Sequence, residues 1–148
     1  MHNLNDQSWT YVAFVVLSAE QDNRPADENA RRTSQLRREL TNHTRYVAPV
    51  VGSYEGVQEN SFLVAVDRSD GLTTRDVEEI ARSFGQESIL VLSRADDGAE
   101  RDAALLFTDD PLGRRHPLGK FRHVSEKYAK AQPAFTYLPS HDLYFVAE

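Results

Sequence analysis

The densest chemistry in this chain lies in Gly52-Ser53-Tyr54-Glu55-Gly56-Val57-Gln58-Glu59-Asn60-Ser61, where a phenol and two carboxylates stand between two apolar stretches. A carboxylate grips a cation or takes a proton, and a phenol offers both a hydrogen bond and a ring face that attracts cations. Loops held by a rigid sheet often carry function. The same residues also read as a polar hairpin under a tyrosine lid. Two smaller constellations accompany them. Phe84-Gly85-Gln86-Glu87-Ser88 sets polar groups where the chain runs into the apolar Ile89-Leu90-Val91-Leu92, so a buried partner is expected for Gln86 or Glu87. A helix cap and polar turn would look the same. Leu17-Ser18-Ala19-Glu20 ends another apolar run with small and polar groups.

Other chemistries lack their residues. There is no cysteine, which removes disulfides, thiolate nucleophiles and Cys-based metal centres. The histidines stand at 2, 43, 116, 123 and 141 and form no His-x-x-x-His pair, so no metal site is expected. Neither Gly-x-Gly-x-x-Gly nor a Walker loop is present, and no cofactor is implied. Arg31-Arg32, Arg37-Arg38 and Arg114-Arg115 are interspersed with acids and read as solvated faces. The formal net charge of −6, with a pI near 5.4, opposes a nucleic-acid partner. The longest apolar run, Tyr11 to Leu17, is too short to cross a bilayer, and Met1 to Gln7 lacks the regions of a signal peptide. A small, acidic, cytoplasmic protein with no membrane partner is expected.

The elements that must position these residues follow from patterning. Trp9 to Leu17 reads as a strand buried on both faces. A helix follows from about Asp27 to Asn42, with Ala30, Thr33, Leu36 and Leu40 on one stripe. Tyr46 to Val51 is a strand, and its Pro49 suggests an edge or bulge. Ser61 to Val66 is the next strand, antiparallel to it. A second helix runs from Thr73 or Thr74 to about Phe84, with a near-complete capping box in Thr73 and Asp76 and Gly85 at its end. Ser88 to Leu92 is a fourth strand. This order predicts an α+β, ferredoxin-like split βαβ sandwich: an antiparallel sheet with both helices on one face. Its other face would be bare and would need more chain or another subunit. A C-terminal β extension is expected from Ala103 to Phe107 and in a hairpin of Ala134 to Leu138 with Leu143 to Val146, while Phe121 to Val124 reads as a short strand or as irregular chain. Asp96-Asp97-Gly98 reads as a turn and Asp109 to Lys120 as a loop. The 148 residues are read as a single domain.

The run Tyr11-Val12-Ala13-Phe14-Val15-Val16-Leu17-Ser18-Ala19 resembles the opening strand of the small phage-encoded enzymes that cleave S-adenosylmethionine (SAM), once called SAM hydrolases and now understood as SAM lyases. The same order of features continues. Asn29-Ala30-Arg31-Arg32 precedes Leu36 and Leu40; Gly52-Ser53-Tyr54 and Glu59 follow, then Ile80-Ala81-Arg82, Gln86-Glu87-Ser88-Ile89-Leu90-Val91 and Ala103-Ala104-Leu105-Leu106-Phe107. The likeness spans most of residues 9–110 and fades towards the tail.

The resemblance implies a trimer related in plan to PII-like proteins, with an active site between subunits. It implies conversion of SAM to 5′-methylthioadenosine and homoserine lactone, a counter-restriction role in phage, and no cofactor. Tyr54 and Glu59 are the implied catalytic pair, with Glu55 as competitor to Glu59. Glu59 would hold the substrate ammonium; Ser18, Ser53, Gln86, Glu87 and Ser88 would contact the rest of the substrate. Two alternatives stay open: a hydrolase giving homoserine directly, and a non-catalytic module binding a nucleotide or a host protein. Whether a host protein such as the SAM synthetase is also bound is left open by the sequence.

Overall fold

The computed structural model describes residues 13–44, 46–66, 72–94 and 100–148. The sheet does not stay open. Eight strands close into an antiparallel barrel, β1 (Ala13–Ser18), β2 (Val47–Tyr54), β3 (Val57–Val66), β4 (Ser88–Ser93), β5 (Arg101–Phe107), β6 (Arg115–Val124), β7 (Ala134–Leu138) and β8 (Leu143–Ala147), in the spatial order β1-β3-β2-β7-β8-β6-β5-β4. Three helices, α1 (Ala26–Thr41), α2 (Thr74–Ser83) and α3 (Glu126–Lys130), pack on its outside. The expected ferredoxin-like sandwich is therefore corrected to a barrel. Its supposedly bare sheet face is covered by the chain's own C-terminal strands, which removes the packing argument for a covering subunit.

The apolar runs form strands because both of their faces are buried. On β1, Ala13, Val15 and Leu17 point outward under the helices, against Leu36 and Leu40 of α1 and Val77 and Ala81 of α2. Phe14 points into the barrel, where it joins Leu63, Leu92, Phe121 and Phe145. β3 alternates likewise, with Phe62, Val64 and Val66 outward and Leu63 and Ala65 inward. Each buried Val, Leu or Phe among them contributes about 1.5–3 kcal/mol relative to exposure. An eight-stranded barrel is just wide enough for its own side chains to fill it, so its interior is a core and not a channel.

The helix ends follow local chemistry. Thr73 and Asp76 complete the capping box of α2: the Thr73 hydroxyl accepts from the Asp76 N–H at 3.2 Å, and the Asp76 carboxylate accepts from the Thr73 N–H at 2.9 Å. Pro49 pairs with Phe62 but lies beyond the four residues of β2 that β7 reaches. The stretch read as a loop, Asp109 to Lys120, is in its second half part of β6. Pro117 is tolerated there because it pairs with β5 alone, across a bulge at Ala103/Ala104. On the other side β8 pairs from Phe121 onward, and Lys120 exchanges backbone hydrogen bonds with Glu148 just beyond it, a close approach for which Gly119 leaves space. Helix α3 has no counterpart in the sequence reading. The expected residues Trp9 to Val12 of the first strand, and the turn at Asp96-Asp97-Gly98, lie outside the described residues.

Gly119 has φ +101°, and a Cβ there would lie 2.4 Å from the backbone carbon of Glu148. Gly113, with φ +61°, faces open space. Gly119→Ala is therefore expected to destabilise the barrel by about 3 kcal/mol, and Gly113→Ala by only about 1 kcal/mol. Thermal unfolding of the two variants checks the contrast.

Candidate active site at the barrel rim

β1 runs antiparallel to both of its neighbours. Ser18 at its end therefore sits opposite Ser61 of β3, while Val16 sits opposite Leu90 of β4. The end of β1, the start of β3 and the approach to β4 thus share one rim within a single chain. Two adjoining hollows open there, of about 560 and 480 Å³, with Glu20, Gln21, Asp22 and Glu59 in common. The larger continues between α1 and β3, over Ala26, Ala30, Thr33 and Val57. The smaller continues over Gly85, Gln86, Glu87 and Ser88.

Backbone-directed hydrogen bonds build this rim. The Ser18 hydroxyl is buried; it donates to the Asn60 carbonyl at 2.7 Å and accepts from the Glu20 N–H at 3.0 Å. The Glu20 carboxylate accepts from the Asn60 N–H at 2.6 Å. Asn29 of α1 brackets the Gln21 backbone, its Oδ1 accepting from the Gln21 N–H and its Nδ2 donating to the Gln21 carbonyl, both at 3.0 Å. Gln86 Nε2 donates to the Glu20 carbonyl at 2.9 Å, which supplies the partner expected for Gln86 or Glu87. Thr108 fastens the other side, donating its hydroxyl to the Gln86 carbonyl at 2.6 Å and its N–H to the Glu87 carbonyl at 2.9 Å. Arg32 ties the wall to the helices by donating to the carbonyls of Ala19 and Phe84.

The residues singled out from sequence separate into two groups. Glu59, Gln86, Glu87 and Ser88 meet at the smaller hollow, and Ser18 lies beneath it with its hydroxyl engaged. Ser53 and Tyr54 do not line either hollow. The segment Gly52 to Ser61 is not a loop but the end of the β2–β3 hairpin. It turns at Glu55 and Gly56, with φ 50° and 83°, the positive values a tight hairpin turn requires. Tyr54 pairs with Val57 next to that turn, and their side chains are 65% and 63% exposed. Glu55 is at the tip, away from both hollows, while Glu59 is shared by them. Sequence reasoning missed Glu20 as a site residue, and with it Asp22, Asn29 and Thr33. Glu20 was visible only as the polar end of an apolar run.

The electrostatics are one-sided. Glu20, Asp22, Glu59 and Glu87 all line the hollows, and among the lining residues Arg24 is the single cation. Arg24 is itself engaged by the Glu28 carboxylate and the Gln21 side-chain oxygen. Glu59 stands at the open rim, yet the protein around it, and then the carboxylates of Glu20 and Asp22, hold its pKa above the ordinary range. Thr33 Oγ1 is buried with no hydrogen-bond partner among the described residues. Such a rim suits a small cationic ligand that carries hydrogen-bonding groups of its own.

The family model described as the S-Adenosylmethionine lyase family matches residues 15–148. The chain belongs to that family, and its enzymatic activity is that of an S-adenosylmethionine lyase, with SAM as substrate. No curated protein matches the chain.

A raised carboxylate pKa costs stability once the group ionises. The stability that Glu59 contributes is full below the ordinary carboxylate range and is lost as pH rises through its raised pKa. Glu59→Gln is therefore expected to melt slightly above the unchanged protein at neutral pH, with the difference vanishing in acid. Melting curves across pH 3–8 check the sign. A Glu59→Gln variant less stable at neutral than at acid pH, relative to the unchanged protein, would contradict it.

Proposed function

We propose that the enzyme converts SAM to 5′-methylthioadenosine and homoserine lactone, with Glu59 holding the substrate's α-ammonium. The observation that supports this reading best is the meeting of Glu59, Gln86, Glu87 and Ser88 on an acidic rim in a chain of this family. SAM brings its own leaving group, the sulfonium, and its own nucleophile, the carboxylate of its methionine part. The carboxylate oxygen attacks the γ-carbon, a five-membered lactone closes, and the C–S bond pair leaves with the sulfur as neutral methylthioadenosine. No proton has to be moved in that step. The protein's task is to fold the substrate so that oxygen and γ-carbon meet. Well-oriented intramolecular reactions of this kind can gain about 7–11 kcal/mol.

The rim chemistry fits that task. Carboxylates attract both cationic groups of SAM, while the single lining guanidinium, that of Arg24, is already engaged by Glu28. An arginine on the substrate carboxylate would blunt its nucleophilicity, and the sequence has none from residue 46 to 67. The small Ala26 and Ala30 beside Val57, with the Thr33 hydroxyl that lacks a partner among the described residues, offer a flat apolar floor and one hydrogen bond for the adenosine half. Gln86, Glu87 and Ser88 face the polar hollow that would receive the methionine half. Glu59→Gln is expected to abolish cleavage while the fold persists, because the charge-assisted bond to the ammonium is lost. Cleavage in heavy-oxygen water is expected to leave the γ-hydroxyl of recovered homoserine unlabelled. Label at that position would replace the lyase step by attack of water.

We further propose that the enzyme works as a homotrimer in which a neighbouring subunit closes the site. The hollows are open in the single chain; Val57 lines the larger one, and Tyr54, its exposed partner across the hairpin, lines neither. In that arrangement Tyr54 and Ser53 would contact substrate held by an adjacent subunit, the phenol ring lying near the sulfonium. A phage counter-restriction role would follow from depletion of a methyl donor. Light scattering is expected to give three times the 16.8 kDa chain mass; a stable monomer at micromolar concentration would refute the shared site.

A further inference from the structure

β1 ends at Ser18, one residue short of the point where β3 still needs a partner. The last β1–β3 pair is Ser18 with Ser61, so the N–H and carbonyl of Asn60 on that side of β3 have no strand to meet. Both are nevertheless taken up. The Glu20 carboxylate accepts from the Asn60 N–H at 2.6 Å, with its second oxygen 3.4 Å from the Asn60 side-chain nitrogen, and the Ser18 hydroxyl donates to the Asn60 carbonyl at 2.7 Å. The same hydroxyl accepts from the Glu20 N–H at 3.0 Å, which ties the two grips together. Two side chains thus continue the ladder where the backbone has stopped. Asn60 is the neighbour of Glu59, whose own backbone side faces Gly52 of β2.

We propose that Ser18 and Glu20 are positioning residues for the lyase reaction, a clip on Asn60 that fixes the start of β3 and so holds the Glu59 carboxylate at the height where it meets the substrate ammonium. The inference rests on the reading of Glu59 as the ammonium-binding group. It gives Ser18 a different task from substrate contact, since its one hydroxyl already donates once and accepts once within the protein. It also explains why a second carboxylate, Glu20, is tolerated beside Glu59 at a rim that holds Asp22 and Glu87 as well, with Arg24 already engaged. Glu20 has a hydrogen-bonding task that its charge strengthens. A neutral amide can perform the same task through its oxygen, whereas alanine cannot.

The test compares Glu20→Ala, Glu20→Gln and Ser18→Ala with the unchanged protein. Amide exchange of Asn60, followed by NMR without substrate, reads the clip directly. The Asn60 N–H is expected to be protected in the unchanged protein and in Glu20→Gln, and to exchange at least tenfold faster in Glu20→Ala. On SAM, Glu20→Ala and Ser18→Ala are expected to lose about tenfold to a hundredfold in kcat/KM, the scale of a misplaced group. Glu20→Gln should recover most of that loss. A pH titration of the Glu59 carboxyl by carbon NMR separates position from charge. Removing the Glu20 charge should move the Glu59 midpoint to lower pH in Glu20→Gln, and Ser18→Ala, which removes no charge, should leave it in place. Equal loss of rate in Glu20→Gln and Glu20→Ala would overturn the clip and make Glu20 a direct charge contact with substrate. Unprotected Asn60 in the unchanged protein would overturn it as well. The exchange and titration arms need no turnover, so a failure of Glu59 to act on SAM, seen as full activity in Glu59→Gln, is distinguishable from a failure of the clip.

Discussion

Strand β1 is antiparallel to both β3 and β4, and the rest of the rim depends on that arrangement. Two antiparallel neighbours place their starting residues beside the end of the central strand. The residues that follow β1, precede β4 and open β3 are thereby forced together: Glu20 and Asp22, Gln86 to Ser88, and Glu59 with Asn60. No long connection has to reach across the molecule. The two helices that cover the outer face of these strands then wall the rim, α1 through Asn29 and Arg32, and α2 through Phe84 at its end. Replacing the central strand's order would scatter the site even if every side chain were kept.

The rim concentrates negative charge, and that is unfavourable in the empty protein. Burial and the neighbouring carboxylates of Glu20 and Asp22 push the Glu59 pKa up, the signature of a group held where its charged form is disfavoured. What resists the repulsion is a set of hydrogen bonds that mostly end on backbone. Glu20 meets the Asn60 N–H, Asn29 brackets Gln21, Gln86 meets the Glu20 carbonyl, and Thr108 holds Gln86 and Glu87. Each such bond is worth about 0.5–1.5 kcal/mol net, and leaving its buried partner unmet would cost more. A cationic ligand reverses the sign of the remaining repulsion. Sites whose residues favour function over stability commonly show this pattern.

The parts of the molecule legible in sequence were those fixed by local pattern. β1, β3 and β4 were visible as solid apolar runs because the barrel core and the helices bury both of their faces. Helix α2 was visible through Thr73 and Asp76. Closure was not legible, because it rests on Val51 to Tyr54 meeting Ala134 to Tyr137 and on Phe121 to Val124 meeting Tyr144 to Ala147, pairings between segments with no local signal for each other. The order strand–helix–strand–strand–helix–strand was read as an open sandwich for want of that information. β6 was hidden by Pro117 and Gly119, which are loop residues except on a half-paired strand. At the rim, Glu59, Gln86, Glu87 and Ser88 could be picked out by type, since polar groups at the mouths of buried strands need a reason. Glu20 could not be tied to Asn60, because its partner is a backbone N–H forty residues away that matters only where β1 has ended.

The barrel also dictates where a substrate can go. Eight strands leave an interior that Phe14, Leu63, Phe121 and Phe145 fill, the last two stacked with ring centroids 4.8 Å apart. Barrels of this size are filled by their own side chains or hold one small ligand; here the core cluster lies inside, and the two hollows beside the end of β1 open on the rim. A rim site is bounded on one side only by strand ends and connections, which leaves it open to solvent. For a bimolecular reaction with water that openness would be an advantage. For attack by the substrate's own carboxylate it is a liability, because a hydrated carboxylate is a weaker nucleophile and an extended SAM keeps its ends apart. The exposed Val57, which lines the larger hollow, and its partner Tyr54 across the hairpin supply apolar surface of the kind that a second subunit or the bound substrate would cover. The homotrimer proposed above would close the hollow from a neighbouring subunit, and the exposed end of the β2–β3 hairpin is the surface that proposal uses.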